Sequence, residues 1–264
     1  MRGKVLSIAG SDSSGGAGIQ ADIKTISALG AYAMTAITAI TVQNTNIVSD
    51  VYPIPAYLVK AQIEAVLSDI GADVIKTGML LSPDIILAVG DILEKSDPPY
   101  KLVVDPVMMS TSGHMLLKPH SIKALSRVIF NKTTLLTPNL AEAAKLANMS
   151  PLKNIDDMRR AGEKLMELGP QAILIKGGHL EGEILTDLLI TQDGETQYSS
   201  KRVPGRNNHG TGCTLASAIA TGLAQGMTME DSVLRAHAYV HKALEQAPGL
   251  GTGCGPINHL VKLD

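Results

Sequence analysis

The chain is organised around the stretch Asn207-Asn208-His209-Gly210-Thr211-Gly212-Cys213-Thr214-Leu215, which an alanine-rich apolar run follows at once. That run lacks proline and carries apolar residues at helical spacing, so we predict a helix from about Gly212 to Ala224. The first N–H groups of a helix have no partner inside it, and the helix dipole places partial positive charge there. The stretch therefore predicts a phosphate-binding turn, although a tight turn before a buried helix would also use these glycines.

A thiol stands at the edge of this turn. A cysteine at a helix N-terminus usually has a lowered pKa and is partly ionised, which suits a proton acceptor or a nucleophile. We therefore expect a lowered pKa for Cys213 and a catalytic role. The alternative is that Cys213 is a small residue of the core.

Length and composition favour one globular α/β domain spanning residues 1–264. Of the 264 residues, 45% are hydrophobic and 18% are charged, enough to bury a large core. The formal net charge of −2 and the absence of tryptophan argue against a nucleic-acid partner. Cys213 and Cys254 are the two cysteines, too few for a disulfide scaffold or a four-thiolate zinc site.

The apolar runs are too short for targeting or membrane insertion. Val5–Ala9 breaks at Gly10, which is too early for a signal peptide. The longest run, Ala33–Val42, is about half a membrane span and contains threonines. We expect a soluble cytoplasmic protein without a membrane partner.

Strand and helix patterns alternate along the chain. We predict strands at 5–9, 34–42, 74–76, 102–104, 134–136 and 172–176, and a hairpin formed by 185–191 and 196–200. We predict helices at 19–29, 55–70, 83–95, 119–129, 140–147, 155–168, 212–224 and 229–246. This alternation predicts a three-layer fold with helices on both faces of a mainly parallel sheet.

Polar residues follow several of these strands, where open α/β sheets bind ligands. Asp105 lies directly after one strand and Gln43 after another. The amide of Gln43 could bind a donor–acceptor pair on a ring, or it could satisfy loop backbone. Lys176, before two glycines, could contact a phosphate or extend harmlessly from the rim of the sheet.

Three further features have two readings each. Asn139 and Glu142 have capping-box spacing, which favours a structural role, but Glu142 could also help to hold Mg²⁺. Asp22 could face the glycine-rich loop 10–18 or only stabilise the start of its helix. The glycine-rich segment 249–256 could cover a nucleotide or lie on the surface.

Seven segments, in order along nearly the whole chain, resemble one known family. They are Ser7–Asp22, Thr41–Thr45, Lys76–Leu80, Val104–Met108, Leu136–Ala143, Lys176–His179 and His209–Leu215. The chain resembles the hydroxymethylpyrimidine/phosphomethylpyrimidine kinases of thiamine biosynthesis, which belong to the ribokinase superfamily. The resemblance implies a ribokinase-like three-layer αβα fold and ATP-dependent phosphorylation of 4-amino-5-hydroxymethyl-2-methylpyrimidine and of its monophosphate.

The resemblance also implies roles for single residues. Cys213 takes the place of the catalytic base, and the amides of Gly210, Thr211, Gly212 and Cys213 form the anion hole. The residues expected to contact the nucleotide are Lys176, Asp105, Asn139 and Glu142, and the last two match the Mg²⁺-associated motif, acting through water. The residues expected to line the pyrimidine pocket are Gln43, Gly10, Asp22, Met79 and Val107.

Some expectations rest on the family alone or depart from it. A homodimer is expected from the family. Gly205 stands where a hydroxyl residue is expected, and Cys254 interrupts the glycine-rich tail. Two alternatives are a pyridoxal/pyridoxine kinase of the same fold and a nucleotide-binding regulator that has lost catalysis.

Overall fold

The computed structural model describes residues 1–109, 116–178 and 182–263. Its strands are β1 (Lys4–Asp12), β2 (Tyr32–Gln43), β3 (Val48–Pro53), β4 (Val74–Thr77), β5 (Lys101–Val104), β6 (Leu135–Leu136), β7 (Ala172–Ile175), β8 (Ile184–Thr191) and β9 (Gly194–Lys201). Its α-helices are α1 (Gly18–Ala28), α2 (Ala56–Asp69), α3 (Pro83–Glu94), α4 (Pro119–Val128), α5 (Leu140–Leu146), α6 (Ile155–Met166), α7 (Thr211–Ala224) and α8 (Met229–Glu245). A short 3-10 turn spans Phe130–Lys132.

The strands form one sheet in the order β3-β2-β1-β4-β5-β6-β7-β8-β9. The six strands from β2 to β7 in that order are parallel to their neighbours. Strand β3 at one edge, and β8 and β9 at the other, run antiparallel to their neighbours. Parallel strands place their carboxyl ends at one edge of the sheet, and that edge holds the site described below.

Two separate cores lie on the two faces of the sheet because successive residues of a buried strand point to opposite sides. In β4, Val74 packs with α1, α7 and α8, whereas its neighbour Ile75 packs with α2 to α6. Leu102 and Val103 in β5 divide between the same two cores. The predicted three-layer arrangement is confirmed.

Strand β3 is missing from the sequence prediction, because its residues are mostly exposed and carry no clear alternation of apolar side chains. The predicted loop at 110–117 lies outside the described residues except for its last two positions, and so does His179 of the motif Lys176–His179. In the described ranges, no helix combines the length and the apolar character needed to cross a bilayer.

Candidate active site

The carboxyl ends of the parallel strands and the start of α7 enclose a cavity of about 640 Å³. Twelve of the thirteen residues predicted for the site line it. They are Gly10, Gln43, Met79, Asp105, Val107, Asn139, Glu142, Lys176, Gly210, Thr211, Gly212 and Cys213. Residues that lie far apart in the sequence therefore face one space.

The turn before α7 depends on glycine at two positions. Gly210 caps the helix with a φ of 84°, and a Cβ atom there would lie 1.8 Å from the carbonyl oxygen of Gly16. A Cβ atom at Gly212 would lie 3.2 Å from Nζ of Lys176. The missing side chains thus let a second loop and an ammonium group approach the positively polarised first turn.

Lys176 and Asp105 form an ion pair beside this turn. Nζ of Lys176 donates to Oδ1 of Asp105 at 2.9 Å, and the side chains are 15% and 4% exposed. Burial lowers the pKa of Lys176, but Asp105 and Glu142 together raise it above its ordinary value. Lys176 is therefore a fixed cation in the wall of the cavity and does not extend from the rim of the sheet.

Asn139 and Glu142 form a complete capping box at the start of α5. Oδ1 of Asn139 accepts from the Glu142 N–H at 2.9 Å, and Oε2 of Glu142 accepts from the Asn139 N–H at 2.9 Å. Oε1 of Glu142 also accepts from the Met108 N–H at 3.1 Å. Burial raises the pKa of Glu142, and nearby Lys176 opposes that rise. The structural role is thus fulfilled while both residues still line the cavity.

The expectation of a lowered pKa for Cys213 is wrong. Cys213 lies in the first turn of α7, as predicted, and lines the cavity, but its side chain is partly buried by the surrounding protein. Burial raises the pKa of the thiol to about 11, although the ammonium group of Lys76 lowers it in part. Desolvation outweighs the helix position, so Cys213 is a thiol at neutral pH.

The expectation that Asp22 lines the substrate pocket is also wrong. Its side chain is fully buried beneath the cavity and pairs with Nζ of Lys76, which lies 2.9 Å from both carboxylate oxygens. Hydroxyl groups of Ser7 and Ser217 donate to the same carboxylate at 2.6 and 2.7 Å. Both carboxylate oxygens of Asp22 accept hydrogen bonds from these buried groups and therefore do not face the cavity. The carboxylate balances the buried positive charge of Lys76, which would be costly without a partner.

Gln43 also lines the cavity and is part of a polar cluster. Its amide nitrogen lies 3.2 Å from Nε2 of His209, which lies 2.8 Å from Oδ2 of Asp12. Neither Asp12 nor His209 is predicted from the sequence as a site residue, since they are separated by 197 positions. The sequence signal that could have identified them is their position: Asp12 ends β1, and His209 directly precedes Gly210.

The apolar side of the cavity is built from β1, β4 and the segment after β5. The terminal methyl group of Met79 lies over Gly10, where a Cβ atom would be 2.4 Å away. Val107 has a φ of 35°, which is a strained conformation for a β-branched residue. Both Met79 and Val107 line the cavity, as predicted for contacts to a ring.

The glycine-rich tail packs beside Gln43 and His209. The N–H of Cys254 donates to the carbonyl of Thr45 at 2.8 Å, and the Cys254 thiol donates a hydrogen bond to Oδ1 of Asn208 at 2.6 Å. The carbonyl of Gly255 accepts from the His209 N–H at 3.0 Å. Cys254 thus has a local structural role. Gly205 has a φ of 131°, which favours glycine at this position, where a hydroxyl residue is expected.

Comparison with known proteins identifies the family of the chain. The family model described as phosphomethylpyrimidine kinase matches residues 12–258. A hydroxymethylpyrimidine/phosphomethylpyrimidine kinase of Rhizobium meliloti strain 1021 is 46% identical over 256 residues, covering 96% of each chain.

Two solved structures share the fold. The phosphomethylpyrimidine kinase of Clostridium difficile 630 is 44% identical, with a TM-score of 0.81 over 91% of this chain and 99% of that one. A pyridoxal kinase of Bacillus subtilis, solved as an ADP complex, is 35% identical, with a TM-score of 0.90 over 98% of both chains. These neighbours confirm the ribokinase-like fold.

The family match covers most of the chain and the site residues converge at one edge of the sheet. The chain therefore belongs to the phosphomethylpyrimidine kinase family and is a kinase of thiamine biosynthesis.

Proposed function

We propose that the cavity aligns the γ-phosphate of ATP with the hydroxymethyl group of the pyrimidine at the start of α7. The observation that carries the proposal is the convergence of the α7 turn, the Lys176–Asp105 pair and Cys213 on one cavity. Phosphoryl transfer requires alignment and charge neutralisation more than covalent help from the protein. The N–H groups of the first turn and the ammonium group of Lys176 supply both.

In the transfer, the substrate oxygen bonds to the γ-phosphorus as the bond from that phosphorus to the leaving ADP oxygen breaks. Cys213, in its thiolate form, then accepts the proton of the alcohol and becomes the thiol. With a thiol pKa of about 11, the thiolate is a strong base but a rare one at neutral pH. This suits a loose transition state, in which the attacking alcohol keeps its proton until late.

At the other end of the cavity, Gln43 binds the ring. A 4-aminopyrimidine edge offers an acceptor nitrogen next to an amino donor, and a carboxamide complements both. Met79 and Val107 supply apolar contact to the ring faces.

Asn139 and Glu142 fit a magnesium site that water completes. Among the described residues, no three His, Cys, Asp or Glu side chains are grouped to hold a metal ion. Mg²⁺ commonly binds through one or two protein oxygens, substrate phosphates and water, so a full protein cage is not needed. Glu142 uses one lone pair of each oxygen for backbone N–H groups and keeps others for water. Bound there, the ion would neutralise phosphate charge.

The test of the magnesium site is the half-saturating Mg²⁺ concentration of Glu142→Gln. We expect it to rise about tenfold. Glu163→Gln on the exposed face of α6 is the matched control and should behave as the unaltered protein. An unchanged Mg²⁺ requirement in Glu142→Gln would leave the residue with its capping role alone.

A coupled ADP-release assay with the pyrimidine alcohol, its monophosphate and pyridoxal in parallel tests the substrate. We expect turnover of both pyrimidines and a strong preference for them over pyridoxal. Pyridoxal is included because the Bacillus subtilis pyridoxal kinase superposes with a TM-score of 0.90. A preference for pyridoxal would overturn the substrate assignment, and ATP binding without any turnover would point to a regulator.

We also propose a homodimer. The outer face of β2 and β3 exposes Ile40, Val42 and Tyr52, which are 47%, 57% and 66% accessible, and Ile40 pairs with Tyr52 across the strands. An exposed apolar patch of this kind is typical of an interface. Sedimentation velocity should give a dimer that Tyr52→Lys dissociates. A monomeric unaltered protein would contradict the proposal.

A further inference from the structure

One ring nitrogen of His209 lies between two polar groups. Its Nε2 atom is 2.8 Å from Oδ2 of Asp12 and 3.2 Å from the amide nitrogen of Gln43. The other end of that amide lies 3.2 Å from Oγ1 of Thr41. The positions of the hydrogens in this chain of contacts decide which way Gln43 presents its amide to the cavity.

Asp12 is ionised. Burial raises the pKa of its carboxyl group, but hydrogen bonds from His209 and Ser14 outweigh burial and lower the pKa to about 2. The backbone N–H groups of Gly16 and Ala17 also donate to Oδ2, at 3.1 and 2.8 Å. A carboxylate can only accept, so Nε2 of His209 must carry a hydrogen that points at Asp12.

That hydrogen excludes a bond from the Gln43 N–H to the same ring nitrogen, because Nε2 then has no lone pair to offer. A half-turn of the amide exchanges its oxygen and nitrogen and gives a consistent set of bonds. The carbonyl oxygen of Gln43 then shares the single Nε2 hydrogen of His209 with Asp12 in a three-centre hydrogen bond, and the NH₂ group of Gln43 faces Thr41. The Thr41 hydroxyl donates to the Ser11 carbonyl at 3.0 Å, so its oxygen can accept from Gln43.

The imidazole cannot easily turn away from this position. A Cβ atom on Gly16 would lie 2.4 Å from Cδ2 of the His209 ring, so the loop after β1 packs directly on the ring. The backbone of His209 is held by Gly255, and the next residue, Gly210, caps α7. The histidine is therefore fixed by the same turn that forms the phosphate end of the cavity.

We infer that Asp12 and His209 are positioning residues that lock the Gln43 amide in one orientation and make the site select a 4-aminopyrimidine over its 4-oxo analogue. The inference rests on the proposed role of Gln43 as the group that binds the ring. In the locked orientation, one N–H and one carbonyl lone pair remain for the cavity.

The two rings differ in the order of their hydrogen-bonding groups. The amino ring has a bare nitrogen next to an NH₂ group, whereas the oxo ring has an N–H next to a carbonyl oxygen. When the oxo ring faces the same Gln43 amide, the ring N–H meets the amide N–H and the ring carbonyl oxygen meets the amide oxygen. Neither pair can form a hydrogen bond. A freely rotating glutamine would accept either ring by turning over, whereas a locked one rejects the oxo ring.

The first experiment measures the hydrogen position in the unaltered protein. Nitrogen-15 NMR of labelled histidine distinguishes a hydrogen on Nε2 from one on Nδ1 alone. We expect the His209 ring to carry a hydrogen on Nε2, with a slowly exchanging signal. A ring protonated on Nδ1 alone would overturn the inference, whether or not the protein turns over any pyrimidine.

The second experiment measures the ratio of kcat/KM for the 4-amino and 4-oxo pyrimidine alcohols. We expect a ratio of about 10² or more in the unaltered protein, and at least a tenfold lower ratio in His209→Phe, which lacks the N–H. His209→Gln restores an N–H and should keep most of the discrimination. His120→Phe, exposed on α4, is the matched control and should keep the ratio unchanged.

Equal ratios in the unaltered protein and His209→Phe would refute the inference, as would equal losses in His209→Phe and His209→Gln. If His209→Phe does not fold, Thr41→Val replaces it, because that variant removes the other anchor of the amide. We expect Thr41→Val also to lower the ratio, and an unchanged ratio there would count against the lock. No turnover of either pyrimidine by the unaltered protein would instead refute the proposed function.

Discussion

The two ends of the cavity are built in different ways. The phosphate end joins a helix start to groups that directly follow strands, namely Asp105 after β5 and Lys176 after β7. The ring end joins Asp12 and Gln43, the last residues of β1 and β2, to His209 in the loop before α7 through side-chain hydrogen bonds. Sheet topology therefore places the strand-end residues of both ends, but the ring end also requires the loop that carries His209 to pack against them. Substitutions at the phosphate end should therefore lower the rate of phosphoryl transfer, and substitutions at the ring end should weaken or change the binding of the pyrimidine.

The largest effect is expected for Lys176→Met, which removes the buried cation of the phosphate end. We expect kcat/KM for ATP to fall about 10³-fold, because fixed charges in a water-poor site stabilise the transition state strongly. The loss should be the same for the pyrimidine alcohol and for its monophosphate, measured in the ADP-release assay. A loss confined to one pyrimidine would place Lys176 at the ring end instead.

Cys213→Ala should lower kcat by about 10² or more and leave ATP affinity nearly unchanged. Since burial raises the thiol pKa to about 11, the turnover of the unaltered protein should rise with pH toward that value while the chain stays folded. The variant should lose this rise. Turnover at the wild-type level would remove Cys213 as the base.

Asp12→Asn tests the stability of the ring end. The pKa of Asp12 is about 2 in the folded chain, below the ordinary value of 3.8, so ionised Asp12 stabilises the fold above pH 3.8 and this stabilisation is lost as pH falls through 2. The variant should lose about 2 kcal/mol of unfolding free energy at pH 7, and the difference should vanish near pH 2. Urea unfolding across this range measures it. A pH-independent difference would show that the charge of Asp12 contributes nothing.

The smallest effect is expected for Gln43→Leu. We expect KM for the pyrimidine to rise about tenfold, the value of one net hydrogen bond, and basal ATP hydrolysis to be spared. Isothermal titration and the ADP-release assay separate the two quantities. If both functions were damaged equally, Gln43 would be structural, and the contrast between the two ends would not hold.

The same contrast explains how much the sequence could predict. Asp105 and Lys176 follow buried strands, and parallel strands end at one edge, so their meeting could be predicted. His209 and Asp12 are 197 positions apart, and no local pattern pairs them. The inward direction of the Asp22 side chain could not be predicted either, because it depends on Lys76, which lies 54 positions away on strand β4.

The error on Cys213 has a different cause. The sequence correctly places a thiol at the start of a helix, and that position alone lowers a cysteine pKa. The raised pKa follows from burial, a property of the whole fold that competes with the local rule. Local sequence rules thus predicted the positions of the site residues better than the pKa of Cys213.

The contact between Gly210 and Gly16 has a consequence for assembly. A methyl group on Gly210 would clash with the carbonyl oxygen of Gly16. The backbone of the loop after β1 therefore contacts the backbone of the turn before α7. Neither half of a chain divided at the exposed β8–β9 turn would possess a complete catalytic cleft. Mixing two such fragments should restore activity only to the extent that they reassociate. The rate of turnover would then measure the fraction of fragments that has formed the complete fold.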